Sequence, residues 1–519
     1  MTQDPAKPCV FLVGAGPGSP GLLTVRGAEV LARADLVLYD QLVPERLVDL
    51  APPTAERMCV RDLPGQHPDK YPHIHLKLIE AATAGKVVVR LKGGDPLIFG
   101  RGGEEAEALR AAGLCYEIVP GVSAALAAGA YLELPLTHRN YASAVAFVTG
   151  HELPSKPGNK LDWRALAAFP GTLAIYMGIA RLPVIVAELL KYGKPPDTPA
   201  GIVERASVGE QRSVFATLGT IEDARRNAGL EAPGLILIGD AVAHRAPHPW
   251  FEARPLFGQR VLVTRPAHQA AGMVRKLEHL GAVVTRMPVI DIREPADFAP
   301  VDRALDELRA GEWDWLVFTS ANGVHALLRR LDARHRDLRD LSRVQLVAIG
   351  PKTADALREY HLLADLGPAS TYSSEGLAEA LAPHVRGKRV LLARANRGRE
   401  LLREQLAVVA TVEQVAVYDQ VDTADPDAAV LDALRRGEIK FVTLPSPGIA
   451  RGVLGGFDET IRGRVERGEI RLVAISPITG NAVRELGLPV AAEATTYTED
   501  GLIEAVVELA RREVAHAPK

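Results

Sequence analysis

The 519-residue chain is poor in cysteine, in net charge and in long apolar runs, and each absence excludes a class of protein. Its three cysteines, Cys9, Cys59 and Cys115, show no C-x-x-C spacing and are too few for a disulfide scaffold, which indicates a reducing compartment. A formal net charge of −3 gives no overall basic character, so composition implies no nucleic-acid partner. No apolar run reaches the ~18 residues that span a bilayer, and the N-terminus lacks a signal-peptide pattern. We therefore expect a cytoplasmic protein without a membrane partner.

Apolar residues make up 47% of the chain, which is ample for buried cores and, at this length, for two to four domains. In the first half, short β-rich runs alternate with alanine- and leucine-rich segments, a pattern typical of α/β proteins. A stretch with little apolar periodicity, from His244 to Pro255, then precedes a new strand that starts at Arg260. We predict a first domain at 1–245, a linker at 246–257 and a second domain at 258–519.

Two glycine-rich turns follow apolar strands in the first half. Residues 14–21 follow one strand and lead into a helix, and a second turn lies within 90–105, which reads RLKGGDPLIFGRGGEE. Glycine lets the backbone approach a ligand closely and adopt positive φ, and a helix start adds exposed N–H groups. Two such turns on one sheet predict a nucleotide-like ligand.

A dinucleotide-binding oxidoreductase is an alternative that the first turn raises. In that case Asp40, roughly 20 residues on, would be the acid that binds the ribose. However, Ser19 stands where the fingerprint requires its third glycine, and Pro17 stiffens the turn and removes an N–H donor. The spacing disfavours this alternative.

The second half contains an internal repeat. Residues 347–359 align without a gap with residues 473–485, so that Thr353 coincides with Thr479. Because open sheets bind ligands at the carboxyl ends of parallel strands, two such lobes predict a cleft lined by hydroxyl and N–H groups. Helix capping is the alternative function of the hydroxyls after these strands, which are Ser320, Thr353, Ser446 and Thr479.

Ordered motifs across residues 9 to about 245 resemble the tetrapyrrole methylase superfamily, specifically uroporphyrinogen-III C-methyltransferase. Residues 258 to about 511 resemble the more divergent uroporphyrinogen-III synthase family, through 263–266, 318–324 and the two Pro-x-Thr copies. The resemblance implies an α/β protein: a two-lobed tetrapyrrole methylase fold, then a pair of similar α/β lobes with parallel sheets. The methylase motifs are, in chain order, 14–18 with 22–24, 38–43, 90–105, 120–124, 135–139, 148–151, 176–178 and 233–236.

For the first half, the resemblance implies S-adenosylmethionine as methyl donor and uroporphyrinogen III as acceptor, methylated twice to precorrin-2 on the route to sirohaem and cobalamin. Asp40 matches the base that the family proposes, and a turn or capping role is its alternative. The family also implies a homodimer through this half. The residues assigned to the donor pocket are Pro17, Gly93, Gly94, Asp95, Ile98, Ser123, Ala124, Met177 and Ala206.

The chain departs from the methylase pattern near the predicted acceptor site. The Gly-Lys pair that usually follows the aspartate falls on Arg61 and Asp62, and a family glutamine aligns with Tyr71. Because the acceptor is a polycarboxylate, an acid at this position is expected to weaken binding or proton delivery unless Arg61 supplies the charge.

Three histidines of the first half are the only sequence cluster that suggests a metal. His67, His73 and His75 lack cysteine or acidic partners at zinc spacing, and prolines interrupt the segment. We interpret them as solvated loop residues and predict no metal.

For the second half, the resemblance implies that hydroxymethylbilane loses its hydroxyl group and cyclises with inversion of its last pyrrole ring. Tyr418 matches the tyrosine that the family implicates in departure of the hydroxyl, and Thr353 and Thr479 fall on its cleft threonines. Ser320 is predicted to bind substrate from the first of the repeated turns.

Arg265 and Arg394 lie at corresponding strand ends and are predicted to anchor substrate carboxylates, with surface ion pairs as the alternative. A structural role at a hinge strand is the alternative for Tyr418. A further alternative is that the second half is a non-catalytic, tetrapyrrole-binding or regulatory module, because its second Thr-Ser loop is degenerate.

Overall fold

The computed structural model describes residues 9–64, 71–152, 160–369, 372–398, 400–422 and 427–516. It divides the chain into two compact units, one of 1–261, 274–284 and 507–519, the other of 262–273 and 285–506. Four five-stranded sheets are present in the described ranges, two in each half of the chain, so the prediction of an α/β protein is confirmed.

The first lobe, residues 10–131, is a parallel sheet in the order β3-β2-β4-β1-β5 with helices between its strands. Strand β1, which lies between β4 and β5, is at most 1% exposed from Val10 to Val13, because a parallel sheet is covered on both faces. The element bounds are β1 Val10–Gly14, α1 Val25–Leu31, β2 Leu36–Tyr39, α2 Glu45–Val48, β3 Glu56–Cys59, α3 Tyr71–Thr83, β4 Val88–Lys92, α4 Gly102–Ala111, β5 Tyr116–Val119 and α5 Ala124–Tyr131.

The second lobe has the strand order β6-β7-β10-β8-β9, in which only β6 and β7 are parallel. The bounds are β6 Val145–Thr149, α6 Trp163–Ala168, β7 Thr172–Tyr176, α7 Leu182–Lys191, β8 Pro199–Glu204, β9 Arg212–Thr217, α8 Ile221–Ala228 and β10 Gly234–Ile238.

The segment predicted to be a linker is packed against α5. Trp250 donates its indole N–H to the Ala130 carbonyl oxygen at 3.0 Å. The Tyr131 ring lies 5.1 Å from the Trp250 ring and 4.7 Å from the Phe251 ring, between centroids. These aromatic contacts, with Phe251 buried and Trp250 41% exposed, attach the segment to the first half.

The second half forms two lobes, and the chain passes from one to the other and back. One sheet has the order β12-β11-β18-β19-β20 and the other β13-β17-β16-β14-β15. Strand β13 is antiparallel to β17, whereas the pairs β14–β15, β14–β16, β16–β17, β18–β19 and β19–β20 are parallel. The strands are β11 Arg260–Val263, β12 Val283–Arg286, β13 Ile290–Arg293, β14 Trp315–Phe318, β15 Gln345–Ala348, β16 Arg389–Ala395, β17 Thr411–Asp422, β18 Phe441–Leu444, β19 Arg471–Ala474 and β20 Ala492–Glu493.

The sequence repeat corresponds to matching strand and helix units in the two sheets. The copy at 347–359 contains the end of β15 and helix α12, and the copy at 473–485 contains the end of β19 and helix α18. The helices of this half are α9 Ala267–His279, α10 Ala299–Ala310, α11 Ala321–Ala333, α12 Pro351–Glu359, α13 Ser374–Leu381, α14 Leu401–Ala407, α15 Ala428–Arg435, α16 Pro447–Gly455, α17 Glu459–Glu466, α18 Pro477–Glu485 and α19 Glu499–His516.

Across the described part of the chain, none of the helices has both the length and the apolar character that crossing a membrane requires.

Candidate functional site

Three glycine turns meet at the carboxyl edge of the first sheet. The Gly94 N–H donates to the Gly16 carbonyl oxygen at 2.8 Å, and the Gly16 N–H donates to the Gly94 carbonyl oxygen at 3.2 Å. A Cβ on Gly121 would lie 2.2 Å from the Gly94 oxygen and 2.7 Å from the Gly14 Cα. Backbone therefore packs directly on backbone at this edge, with Gly16 and Gly94 at positive φ.

Asp95 holds the second turn against the third. Its carboxylate accepts hydrogen bonds from the Leu97 N–H at 2.8 Å and the Gly121 N–H at 3.0 Å. Two backbone donors on one carboxylate fix the loop geometry. The contact between Asp95 and a cofactor stays a prediction.

Tyr176, at the end of β7, connects the second lobe to the same edge. Its hydroxyl lies 2.7 Å from the Ser123 hydroxyl and accepts the Ala125 N–H at 3.0 Å. Burial raises the pKa of the Tyr176 phenol, so it remains a neutral hydrogen-bonding group. The Phe99 ring lies 5.0 Å from the Tyr176 ring, which brings the second glycine turn against β7.

The remaining predicted donor-pocket residues lie on loops around this contact. Ala124 begins α5, and Met177 is 54% exposed with a positive φ of 54°. Ala206 stands between Arg205 and Ser207, both also at positive φ. The Ser19 N–H donates to the Ser207 hydroxyl at 3.4 Å, so the Pro17 turn lies beside the Ala206 loop. Side chains of Leu97, Ile98 and Phe99 are 36–56% exposed at this place.

Asp40 directly follows β2 at the same carboxyl edge. Its carboxylate is 31% exposed and is paired with the Arg90 guanidinium. Arg90 in turn donates from Nε to Glu105 at 3.0 Å, and Lys92 donates to the same Glu105 oxygen at 2.7 Å. Burial, and then the neighbouring Arg90 cation, lower the pKa of Lys92. Asp40 is thus the accessible end of a buried cluster of two cations and two carboxylates.

Sequence reasoning missed Arg90, Lys92 and Glu105 as members of this site. Arg90 and Lys92 are 2% and 1% exposed, and Glu105 is fully buried. The signal was present, because two cations alternate with Leu91 in a strand that is otherwise apolar, and charged residues are rarely fully buried unless paired.

Asp62 lies at the same edge, on a 3-10 turn that follows β3. Its carboxylate is 3.7 Å from the Arg61 guanidinium, and both side chains are more than 60% exposed. Asp62, which stands where the family has a lysine, therefore has the cation of Arg61 beside it.

The histidine cluster was interpreted wrongly as a loop. His73 and His75 lie on α3, because Pro72 at the start of a helix leaves its hydrogen-bond pattern intact. His67 lies outside the described residues. Within the described ranges, no group of three or more His, Cys, Asp or Glu side chains has an arrangement that could hold a metal ion.

In the second half, Tyr418 and Ser320 form one site with Arg394. The Tyr418 hydroxyl lies 3.1 Å from the Ser320 hydroxyl, and Tyr418 is 5% exposed. Both residues and Arg394 line a cavity of about 310 Å³ at the carboxyl ends of β14 and β16. Arg394 also donates to the Gln414 side chain at 3.1 Å. Sequence reasoning did not assign four further polar residues of this cavity, which are Thr319, Ser374, Arg397 and Gln420.

The capping alternative proves correct for two of the four hydroxyls. Ser320 accepts the Gly323 N–H at 3.1 Å as the N-cap of α11, and Ser446 accepts the Ile449 N–H at 3.3 Å as the N-cap of α16. Thr353 and Thr479 lie in the first turns of α12 and α18 and do not cap them, since Gly350 and Ser476 are at the cap positions.

Thr353 and Thr479 are more deeply buried than cleft-lining residues are expected to be. Thr353 is 4% exposed and Thr479 is fully buried, with its hydroxyl 3.4 Å from that of Ser476. Arg265 follows β11 and lies 3.7 Å from Glu499, and its burial lowers the pKa of the guanidinium. The substrate contacts of these three residues stay predictions.

Both halves match family models. Residues 9–222 match the tetrapyrrole (corrin/porphyrin) methylases. Residues 271–504 match the uroporphyrinogen-III synthase HemD model. These matches give no support to the oxidoreductase alternative.

Individual relatives match one half or nearly the whole chain. The porphyrin biosynthesis protein HemD of Ruminiclostridium josui is 33% identical over 96% of this chain and 98% of its own length. The uroporphyrinogen-III C-methyltransferase of Priestia megaterium is 45% identical over 45% of this chain and 98% of its own length. Among solved structures, uroporphyrin-III C-methyl transferase from Thermus thermophilus complexed with S-adenyl homocysteine is 43% identical, covers 45% of this chain and 99% of that one, and has a TM-score of 0.39.

Proposed function

The chain belongs to the tetrapyrrole methylases through its first half and to the uroporphyrinogen-III synthases through its second, and we propose that it carries out two successive steps on one tetrapyrrole. The second half cyclises hydroxymethylbilane to uroporphyrinogen III with inversion of ring D. The first half methylates that product twice from S-adenosylmethionine to precorrin-2. The observation that carries the proposal is that one chain contains both family regions, each with its own strand-end site.

The first site is suited to S-adenosylmethionine. A Cβ on Gly93 would meet nothing within 4 Å, so the turn leaves space beside its backbone. The exposed apolar side chains Ile98 and Met177 can cover a purine ring, and backbone groups of the Gly93 to Asp95 turn can bind the polar end. This donor supplies a methyl group already activated on a sulfonium, so the protein contributes mainly alignment and exclusion of water.

Asp40 would act on the acceptor. Methylation of a pyrrole carbon leaves a proton to be lost, and a carboxylate in hydrogen-bond reach can accept it. Asp40 suits this role because its carboxylate is partly exposed at the sheet edge while Arg90 holds it from behind. Arg61 would supply a cation for the acceptor's carboxylates beside Asp62.

In the second half, hydroxymethylbilane would bind in the cavity that Tyr418, Ser320 and Arg394 line. The Tyr418 hydroxyl can donate its one hydrogen bond to the departing hydroxyl group while it accepts a hydrogen bond from the Ser320 hydroxyl. Arg394 can anchor a side-chain carboxylate in the same cavity. For departure of water and ring closure, the site then has to hold the two ends of the linear substrate close together and to supply a few hydrogen bonds.

Incubation of the purified protein with hydroxymethylbilane tests both steps. We expect uroporphyrinogen III without S-adenosylmethionine and a dimethylated product with it, resolved by chromatography and mass. Formation of only the type-I isomer would contradict the synthase step and favour a non-catalytic tetrapyrrole-binding second half. Added uroporphyrinogen III that remains unmethylated would contradict the methyltransferase step.

The proposal includes a homodimer formed through the first half and a cytoplasmic location. Val25 and Leu42 are 78% and 68% exposed and are candidate side chains for this interface. The molar mass of the full chain, measured by light scattering, tests the assembly. We expect the Leu42→Glu variant to shift this mass towards that of the monomer.

A further inference from the structure

Glu105, on α4, is a fully buried carboxylate to which the proposed function gives no role. Its Oε1 accepts from Arg90 Nε at 3.0 Å and from Lys92 Nζ at 2.7 Å. Its Oε2 is buried and makes no hydrogen bond within the part of the chain that the structure describes. Glu105 therefore acts on Asp40 through Arg90, which donates to both carboxylates.

Burying this cluster of charges costs free energy of desolvation. Burying two cations and two carboxylates is commonly no more stabilising than burying apolar residues of the same volume. A packing role alone therefore does not account for a cluster whose members Arg90, Lys92 and Glu105 are all at most 2% exposed.

The geometry of a guanidinium explains what the cluster achieves. The group is planar with its donors in fixed directions, so fixing Nε also fixes the two terminal nitrogens. Glu105 holds Nε, the carbonyl oxygens of Leu38 and Leu91 lie 3.4 and 3.3 Å from one terminal nitrogen, and the other terminal nitrogen donates to Asp40. All three nitrogens of the Arg90 guanidinium are thereby held by neighbouring acceptors, which restrains its rotation away from Asp40.

We propose that Glu105 is a positioning residue: it orients Arg90 so that the Asp40 carboxylate is held where it accepts the N–H proton of the methylated ring. The inference rests on the proposed role of Asp40. In the step, the N–H bond of the methylated ring breaks, its electron pair stays on nitrogen and neutralises the cationic ring left by methyl transfer, and the proton passes to an Asp40 oxygen while Arg90 keeps its protons. Lys92 occupies the other position at Glu105 Oε1 and balances its charge.

Two variants separate the hydrogen bond from the charge. Glu105→Asp keeps the charge but shortens the side chain by one methylene, which withdraws the acceptor from Arg90 Nε. The double variant Lys92→Met, Glu105→Gln removes one charge of each sign and keeps an oxygen that accepts from Arg90 Nε. We expect Glu105→Asp to lower kcat for methyl transfer about 100-fold, because small misplacements of a catalytic group have effects of this order.

The KM for S-adenosylmethionine and the affinity for S-adenosylhomocysteine are expected to remain at wild-type values in both variants. The double variant is expected to retain most of the wild-type kcat. A role in charge balance alone would leave the two variants alike, both active or both impaired, and either result would overturn the inference. A packing role alone would leave Lys92→Met with Glu105→Met active, because that pair fills the volume without an acceptor, and this result would also overturn the inference.

Thermal unfolding and S-adenosylhomocysteine binding establish that each variant is folded. If Glu105→Asp does not fold, Lys92→Met with Glu105→Met replaces it, because that pair fills the volume without an acceptor, and the same loss of kcat is expected. A wild-type protein that methylates nothing would contradict the proposed function. Wild-type methylation by the variant without the acceptor would overturn only this inference.

Discussion

Gly121 is the residue at which the backbone of the candidate methyl-donor site is packed most tightly against its neighbours. The atoms that a Cβ there would meet are backbone atoms of Gly94 and Gly14, and neither can move without shifting a strand end. By contrast, a Cβ on Gly103, the second residue of α4, would meet nothing within 4 Å. The two glycines thus form a matched pair for a test.

Gly121→Ala is expected to destabilise the first half by at least the ~1–3 kcal/mol of an overpacked core and to abolish S-adenosylhomocysteine binding. Gly103→Ala is expected to be neutral or slightly stabilising, because alanine favours a helix over glycine. Denaturant unfolding and calorimetric titration measure both effects. Unchanged binding in Gly121→Ala would show that the three turns do not form the donor site.

At the same scale, sequence reasoning proposed Asp40 as a site residue but did not find the charged residues that contact it. Asp40 could be assigned because it follows a strand within a recognisable motif. Arg90 and Glu105 stand 15 positions apart in the chain, and their contact depends on how α4 packs against the sheet. The distance between these two side chains cannot be inferred from their separation along the sequence.

Helices α10 and α11 illustrate charge pairing at the scale of elements. The Arg330 guanidinium on α11 forms two hydrogen bonds, at 2.7 and 2.6 Å, to the Asp302 carboxylate on α10. These bonds lower the pKa of Asp302 below its ordinary value. A carboxyl group with a lowered folded-state pKa stabilises the fold above its unfolded pKa of about 4, and this contribution is lost as the pH falls through the folded pKa.

Asp302→Asn is therefore expected to lower the thermal midpoint of the second half at pH 7, with the difference from wild type disappearing in strongly acidic buffer. Scanning calorimetry between pH 7 and pH 3 measures the trend. Asp355→Asn serves as the control, because the exposed Asp355 pairs with Arg358 of its own helix, α12, rather than with a second helix. A difference that stays constant with pH would mean that the ion pair does not contribute.

In the second half, the repeat predicted which segments are strands and helices, but it did not predict which strands pair with one another. The matching units β15 with α12 and β19 with α18 were predictable, because the same apolar and turn residues recur in both copies. The antiparallel pairing of β13 with β17, which places Ile290 opposite Asp422, joins segments far apart in sequence. Its register depends on the side chains that each face buries.

At the scale of the whole molecule, two sites on separate halves predict separable activities. Asp40→Asn is expected to lower methylation about 10²- to 10⁴-fold, the usual contribution of a general base, while uroporphyrinogen III still forms from hydroxymethylbilane. Tyr418→Phe is expected to impair cyclisation and leave methylation of added uroporphyrinogen III unchanged. Product analysis with each substrate measures both activities, and loss of both in either single variant would contradict independent sites.

The sequence by itself determined the alternation of strands and helices, the glycine turns, the repeated lobes and both families, because these depend on local periodicity and short motifs. Only the tertiary structure showed that Thr353 and Thr479 are buried, that Ser320 meets Tyr418, and that Arg90 joins Glu105 to Asp40. The reason is physical: burial and hydrogen bonding are properties of side chains brought together by packing, and packing is set by contacts between residues distant in the chain.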